Sequence, residues 1–269
     1  MATVPLAQIT RYCDRLLRTA FFTDYGGAHN GLQVQNRGGV RRLAAAVDAS
    51  PATVRLAVEV RADLLLVHHG LFWSPRHPWI GRQYDLLQTL LENDLAVYSS
   101  HLPLDAHPKL GNNAQLCATL GLTGLPGKAD RKQSGKPRAR LRPFFKYKGQ
   151  PIGFEVSTRI TRDELVQRLE RALGGPVHLV PGGPAVCQRL GVVTGGAGGA
   201  LQQAADAGVD TFITGEGAHW TYALAEELGL NVLYGGHYAT ETFGVKALAA
   251  HLAKKFRLPW IFLDHPTGL

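Results

Sequence analysis

Leu64-Leu65-Leu66-Val67-His68-His69-Gly70-Leu71-Phe72-Trp73 is the stretch that decides the fold: a short apolar run that ends in two adjacent histidines and a glycine. It reads as a buried strand in a sheet covered on both faces. Side chains alternate along a strand, so consecutive histidines converge on one spot only where the strand ends and the backbone turns, here at Gly70. Imidazole is the commonest metal ligand, and a site with two centres could be built this way. Taken alone, the pair also fits one satisfied core histidine beside an exposed one.

Working outward, Leu43 to Val47 reads as a strand ending at Asp48, and Ser50-Pro51 as an N-cap followed by proline at the first helical position. The helix through Val60 then returns to the His68-His69 strand, a β-α-β unit with parallel strands. A helix over 84–93 and a strand over 96–99 follow, and the strand runs out into Ser100-His101-Leu102-Pro103-Leu104-Asp105, where Pro103 argues for a loop. Upstream, 5–19 has the spacing of an amphipathic helix, and Asn30-Gly31-Leu32-Gln33 is too polar and glycine-rich for an ordinary element. Asn112-Asn113 reads as the cap of a helix that stops at Gly121. The second half offers a strand over 152–156, then Thr161-Arg162-Asp163-Glu164 as a capping box opening a helix through Leu173. Strands over 190–194, 211–214 and 231–234 follow, each with a helix after it, the last over 240–256. Both halves are therefore expected to be α/β with largely parallel sheets: a first lobe over 1–127, a basic linker over 128–142 and a second lobe over 143–269.

The chain has 269 residues and 45% hydrophobic content, enough for a real core. No run approaches the roughly 20 apolar residues that span a bilayer and the start lacks a signal-peptide pattern, so a cytoplasmic protein without a membrane partner is expected. Cys13, Cys117 and Cys187 are isolated and read as buried small hydrophobes. The net charge of +8 comes mostly from Lys128, Arg131, Lys132, Lys136, Arg138, Arg140 and Arg142, which face Asp130 alone. With Ser134, Gly135 and Pro137 among them, they read as a solvated linker. The segment could touch nucleic-acid phosphates but has no base-reading motif.

Ligands in open α/β sheets gather beyond the carboxyl ends of the strands. His68, His69, His101 with Asp105, Thr214-Gly215-Glu216 and Gly235-Gly236-His237 all stand there. His237 and Glu241 are four apart, on one side of a helical first turn. Four histidines and two carboxylates at such positions point to a metal site, and the donor set suits Zn, Mn, Fe or Ni rather than a thiolate centre. Gly195-Gly196-Ala197-Gly198-Gly199 suits either a phosphate cradle or a tight turn without a ligand. Glu216 and His219 could each be a general acid or base, a residue orienting a ligand, or a helix cap.

These motifs, from Asn30-Gly31-Leu32-Gln33 through Val67–Trp73, Ser100–Asp105 and Ile213–Glu216 to Gly236–Glu241, resemble the Nif-three-like family, also called GTP cyclohydrolase I type two homologues. The resemblance covers nearly the whole chain and is to the short form of the family. It implies two similar three-layer α/β/α lobes with mixed sheets, two divalent metal ions in a dinuclear site, and a ring-shaped hexamer. Carried over by motif, His68 and Asp105 would bind one ion, His69 and His237 the other, and Glu241 would bridge them. His101 would be an additional ligand. Glu216 stands where other members often have Asp. The function implied is a metal-dependent hydrolase acting on a nucleotide-like or otherwise phosphorylated, hence anionic, substrate. A metal-delivery protein or a DNA-binding ring are the competing readings.

Overall fold

The computed structural model describes residues 3–73, 78–122 and 140–269. In chain order the elements are β1 (Val4–Pro5), α1 (Leu6–Leu17), β2 (Gly31–Val34), β3 (Gly39–Val40), β4 (Leu43–Asp48), α2 (Pro51–Glu59), β5 (Leu64–His69), α3 (Arg82–Glu92), β6 (Ala96–Ser99), α4 (Leu102–Asp105) and α5 (Asn112–Thr119). Then come β7 (Arg142–Tyr147), β8 (Gln150–Thr161), α6 (Arg162–Leu173), β9 (His178–Pro181), β10 (Val186–Val192), α7 (Leu201–Asp206), β11 (Thr211–Thr214), α8 (Thr221–Glu227), β12 (Asn231–Tyr234), α9 (His237–Phe256) and β13 (Trp260–Phe262). The chain forms two compact units. One comprises 1–104 with 244–265, the other 105–243 with 266–269.

The first unit is built on a sheet of order β13-β4-β5-β6-β2, parallel except where β2 runs against β6. The apolar run is a strand buried along its length up to His69. Ala44, Ala46, Leu65, Val67 and Val97 of its central strands pack with Val54 and Ala57 of α2, Leu90 of α3 and Leu263. Ser50 caps α2 by accepting from Thr53 N, while the Thr53 hydroxyl accepts from Ser50 N, so two orphan donors are satisfied reciprocally. The parallel register sets Asp48 beside His69 and Val67 beside Ser99, which brings three strand ends to one edge.

The second unit has the order β7-β8-β10-β11-β12-β9. Its sheet is mixed, and only the β10–β11 and β11–β12 pairs are parallel. The expectation of a largely parallel sheet thus holds for the first unit and fails for the second. Beta-7 and β8 form a hairpin, and β9 returns antiparallel along β12. Leu165 and Leu169 of α6 and Leu116 and Cys117 of α5 bury against Val156, Leu190, Val192, Ile213 and Leu233. Thr161 caps α6 through Glu164 N, and Gly174 ends it in the left-handed conformation.

Several boundaries differ from the sequence reading. The units divide at Leu104 and Asp105 because α5 buries its apolar face in the second core, not the first. Pro103 does not prevent a helical turn, since it stands in the first turn of α4, where a missing N–H costs nothing. Asn112 and Asn113 do not cap α5; Gly111 holds the cap position without a side-chain bond. Asn30-Gly31-Leu32-Gln33 is largely an edge strand, β2, not a loop. Most of the basic segment lies outside the described residues, but Arg142 opens β7 and pairs with Glu155 at 3.8 Å, so the linker reading fails there. All three cysteines are free and buried, and burial pushes the Cys117 thiol up to about 12. No helix among the described residues is long and apolar enough to cross a membrane.

Candidate metal centre

In the first unit, β5 ends in His68, fully buried, and His69, partly exposed. The first turn after β6 adds His101. Their ring centroids lie 4.8 Å (His68–His69), 4.9 Å (His68–His101) and 5.6 Å (His69–His101) apart, and one nitrogen from each ring falls within 4.8 Å of the others. Three imidazoles from two strands therefore converge, as the strand-end argument requires.

Each ring is oriented from behind. His68 Nδ1 lies 3.0 Å from the Ser100 carbonyl, His69 Nδ1 2.8 Å from Asp48 Oδ1, and His101 Nδ1 2.8 Å from Asp24 Oδ1. A carbonyl or carboxylate only accepts, so Nδ1 carries a proton, and a ring with that proton alone has its lone pair on Nε2. That is the tautomer a divalent metal needs. The donor set therefore fits the ion that the sequence implies.

Asp24 does more than hold one ring. It also accepts from Asn30 Nδ2 and from the backbone N–H groups of Tyr25 and Leu102. Burial alone would raise its pKa, but the His101 hydrogen bond and its other donors outweigh this and lower it. Asn30 Oδ1 in turn accepts from His101 N at 2.7 Å. Gln33 Oε1 accepts from Leu71 N, while its amide donates to the carbonyls of Ala28 and His29. A Cβ at Gly70 would strike the Gln33 amide, so glycine leaves room for Gln33 to hold this position. The Asn30–Gln33 motif thus fixes the turns that carry the histidines.

In the second unit, three strand ends are joined by glycine backbone. Gly215 N and Glu216 N donate to Gly195 O, Gly236 N donates to Gly215 O, and Gly198 N donates to Glu216 O. On this platform α9 begins at His237, with Gly236 before it at φ 88°. His237 Nδ1 lies 2.8 Å from Glu216 Oε1, and His237 Nε2 lies 3.2 Å from Glu241 Oε2. The Glu241 side chain is only 3% exposed. Glu216 therefore stands where it orients His237, as the three acceptors do in the first unit, and His219 is exposed in the following turn. Close packing accounts for two glycines of the tract over 195–199: a Cβ at Gly195 would meet Glu241, and one at Gly198 would meet the Glu216 backbone.

Asp105, which opens the second unit, is buried. Asn112 Nδ2 donates to its Oδ1 at 2.8 Å, and Asn113 donates to its carbonyl at 3.3 Å and to Ile152 O at 2.7 Å. Asn113 Oδ1 accepts from Thr194 N at 2.7 Å. Sequence reasoning passed over Asp24 and Asp48 as site residues. Asp48 was signalled by its place at a strand end, whereas Asp24 sits in a loop with no periodicity.

His237 also predicts a pH effect. Burial alone would lower its pKa, but the hydrogen bonds and charges of Glu241 and Glu216 prevail and raise it to about 9. A raised pKa contributes stability that is fully present below the unfolded value near 6.5 and lost as pH rises through about 9. The metal-stripped protein should therefore lose at most about 3 kcal/mol between those limits. Thermal melts at stepped pH check this. His237→Gln should flatten the profile, and a wild-type midpoint that is level from pH 6.5 to 9 would refute the assignment.

Fold and site together define a two-unit α/β protein whose strand ends carry oriented histidines suited to a divalent metal. The model of the Duf34/NIF3 (NGG1p interacting factor 3) family matches residues 4–267. A Deinococcus radiodurans protein called GTP cyclohydrolase 1 type 2 homolog is 40% identical over 267 residues, covering 97% of this chain and 94% of its own. An Escherichia coli K12 protein of the same description is 38% identical over 262 residues, covering 97% and 98%. A crystal structure of a Thermus thermophilus protein superposes with a TM-score of 0.85 at 38% identity, over 99% of this chain and 100% of that one. The chain belongs to the Duf34/NIF3 family.

Proposed function

We propose that this protein is a cytoplasmic metal-dependent hydrolase with a dinuclear centre, acting on a nucleotide-like or otherwise phosphorylated substrate and assembling as a hexameric ring. The observation that carries the metal reading is the shared construction of four histidines, each with Nδ1 against an oxygen acceptor. In this reading His68 and Asp105 hold one ion, His69 and His237 the other, with His101 as an additional ligand and Glu241 between the two.

Bound divalent ions would supply Lewis acidity and bring a water near its pKa at neutral pH. The chain's own part is to fix the ligands. Asp24, Asp48 and Glu216 keep protons on the rear nitrogens, Asn112 holds one Asp105 oxygen so that the other can serve, and the buried Glu241 supplies negative charge. With two carboxylates against two divalent ions the centre stays cationic, which favours an anionic substrate.

The test is turnover of a panel of phosphorylated metabolites, GTP included, by protein reconstituted separately with Zn, Mn, Fe and Ni. Hydrolysis that requires both ions supports the reading. Full occupancy with rapid metal exchange and no turnover of any compound would replace it with metal delivery.

A further inference from the structure

The first unit contains a cavity of about 1000 Å³ that the metal ligands do not use. Its walls include Gly27, Phe72, Trp73, Trp79, Arg82 and Gln83, with leucines of α3 closing one side. The volume is at the upper end for small-molecule sites, and the mix of apolar walls with few polar groups is the usual one. One wall is shared with the metal centre. The Trp73 indole stands edge-to-face against His69, with centroids 5.6 Å apart at 88°, and against His101, at 4.8 Å and 79°. Gly27 supports that wall, since a Cβ there would meet the Phe72 carbonyl at 2.8 Å and Trp73 Cα at 2.9 Å.

Two features select an occupant. Trp79 is 49% exposed and Trp73 38%, so large indole surface remains for a flat ring. Exposed indoles beside a cavity suit stacking, which every aromatic heterocycle offers. Arg82 is exposed at the start of α3 and has no ion-pair partner among the described residues, so its guanidinium can receive an anionic group. Gln83 beside it offers both a donor and an acceptor for a ring edge.

We propose that this cavity binds a planar nitrogen heterocycle carrying an anionic group, with the ring against the Trp73 and Trp79 indoles and the anion at Arg82. The proposal deepens the hydrolase reading and rests on it for the fate of the ligand, not for its binding. A second copy of the chain covering the exposed indoles is the competing occupant.

The probe is guanosine 5′-monophosphate, with guanosine and inorganic phosphate as its separated parts. Each is titrated calorimetrically into the full-length protein, first stripped of metal and then reconstituted. Trp79→Ala should weaken the monophosphate and guanosine alike by roughly tenfold or more. Arg82→Ala should weaken the monophosphate about tenfold and leave guanosine unchanged. Both side chains are exposed, so neither change threatens the fold. Wild-type protein that binds no monophosphate, or variants that bind it as well as wild type, would overturn the proposal. So would a Trp79→Ala change in sedimentation without a change in affinity, which would assign the indoles to a contact between copies. Binding that depends on Trp79 and Arg82 with no turnover of any compound would keep the cavity and reject hydrolysis. Turnover that both variants leave intact, with unchanged binding, would do the reverse.

Discussion

If two ions bind as proposed, Glu241→Gln protein should emerge from dialysis with both largely lost, their affinities reduced roughly a hundredfold or more. The reason is charge. In two-metal sites the ions stand about 3.5–4 Å apart, and at an effective dielectric near 20 two divalent ions repel by roughly 17–19 kcal/mol. Neutral imidazoles cannot offset that, so an anion must lie between. Glu241 is the buried carboxylate whose Oε2 lies 3.2 Å from His237 Nε2, and glutamine keeps its shape while removing its charge. Asp105→Asn should empty mainly one position and His69→Ala mainly the other. Glu216→Gln should weaken only the ion held by His237, by about 10–100-fold, since it orients the ring without supplying a ligand. Metal content per chain, measured by mass spectrometry, decides among these. Wild-type occupancy in Glu241→Gln would remove the bridging role.

Gly195→Ala should be nearly as damaging, although it removes no ligand. Gly195 has φ 71°, and a Cβ built on it would overlap Glu241 Oε1 and lie 3.0 Å from Glu241 Cδ and 3.2 Å from His237 Nε2. The left-handed backbone costs an alanine about 1 kcal/mol, and displacing a buried carboxylate adds overpacking of similar or larger size. The expected loss is roughly 2–4 kcal/mol of stability together with most of the bound metal. Gly199→Ala is the control in the same tract, because its Cβ would have only Trp220 Cζ2, 3.9 Å away, and the backbone is not left-handed. Melting temperature and metal content should separate the two variants. Equal behaviour would show that the tract does not shape the site.

The two parallel strands ending in Asp48 and in His68-His69 were legible because their apolar runs, flanking turns and cap residues all agree. The placing of His68, His69, His101 and His237 at strand ends was legible from the strand-end rule. What escaped notice obeys longer-range causes. Asp24 reaches His101 across 77 residues, and nothing local marks it. The glycines at 195–199 left a phosphate cradle and a ligand-free turn both open, because a glycine-rich turn looks alike in sequence whether or not an anion fills it. Beta-2 was hidden by its polarity, since an edge strand such as Gly31–Val34 leaves Leu32 exposed and turns Gln33 to a loop. The antiparallel character of the second sheet comes from β7 and β9, for which no strand was expected, and from β8, which was expected but runs against β10.

The last strand carries a consequence for how the protein is made. Beta-13 pairs with β4, placing Trp260 beside Leu43 and Phe262 beside Ala45, and Leu263 enters the core formed by Ala44, Leu65 and Val97. A ribosome that has finished β4 must add the residues up to β13 before the partner of that edge exists, a delay of roughly 10–40 s at ordinary rates of synthesis. Until then the nascent sheet shows an open apolar edge, the kind that captures strands from other chains. The second unit's sheet, drawn from residues 142–234, is complete while the first still waits. The first unit should thus finish folding after the second unit's sheet, although its strands are read first.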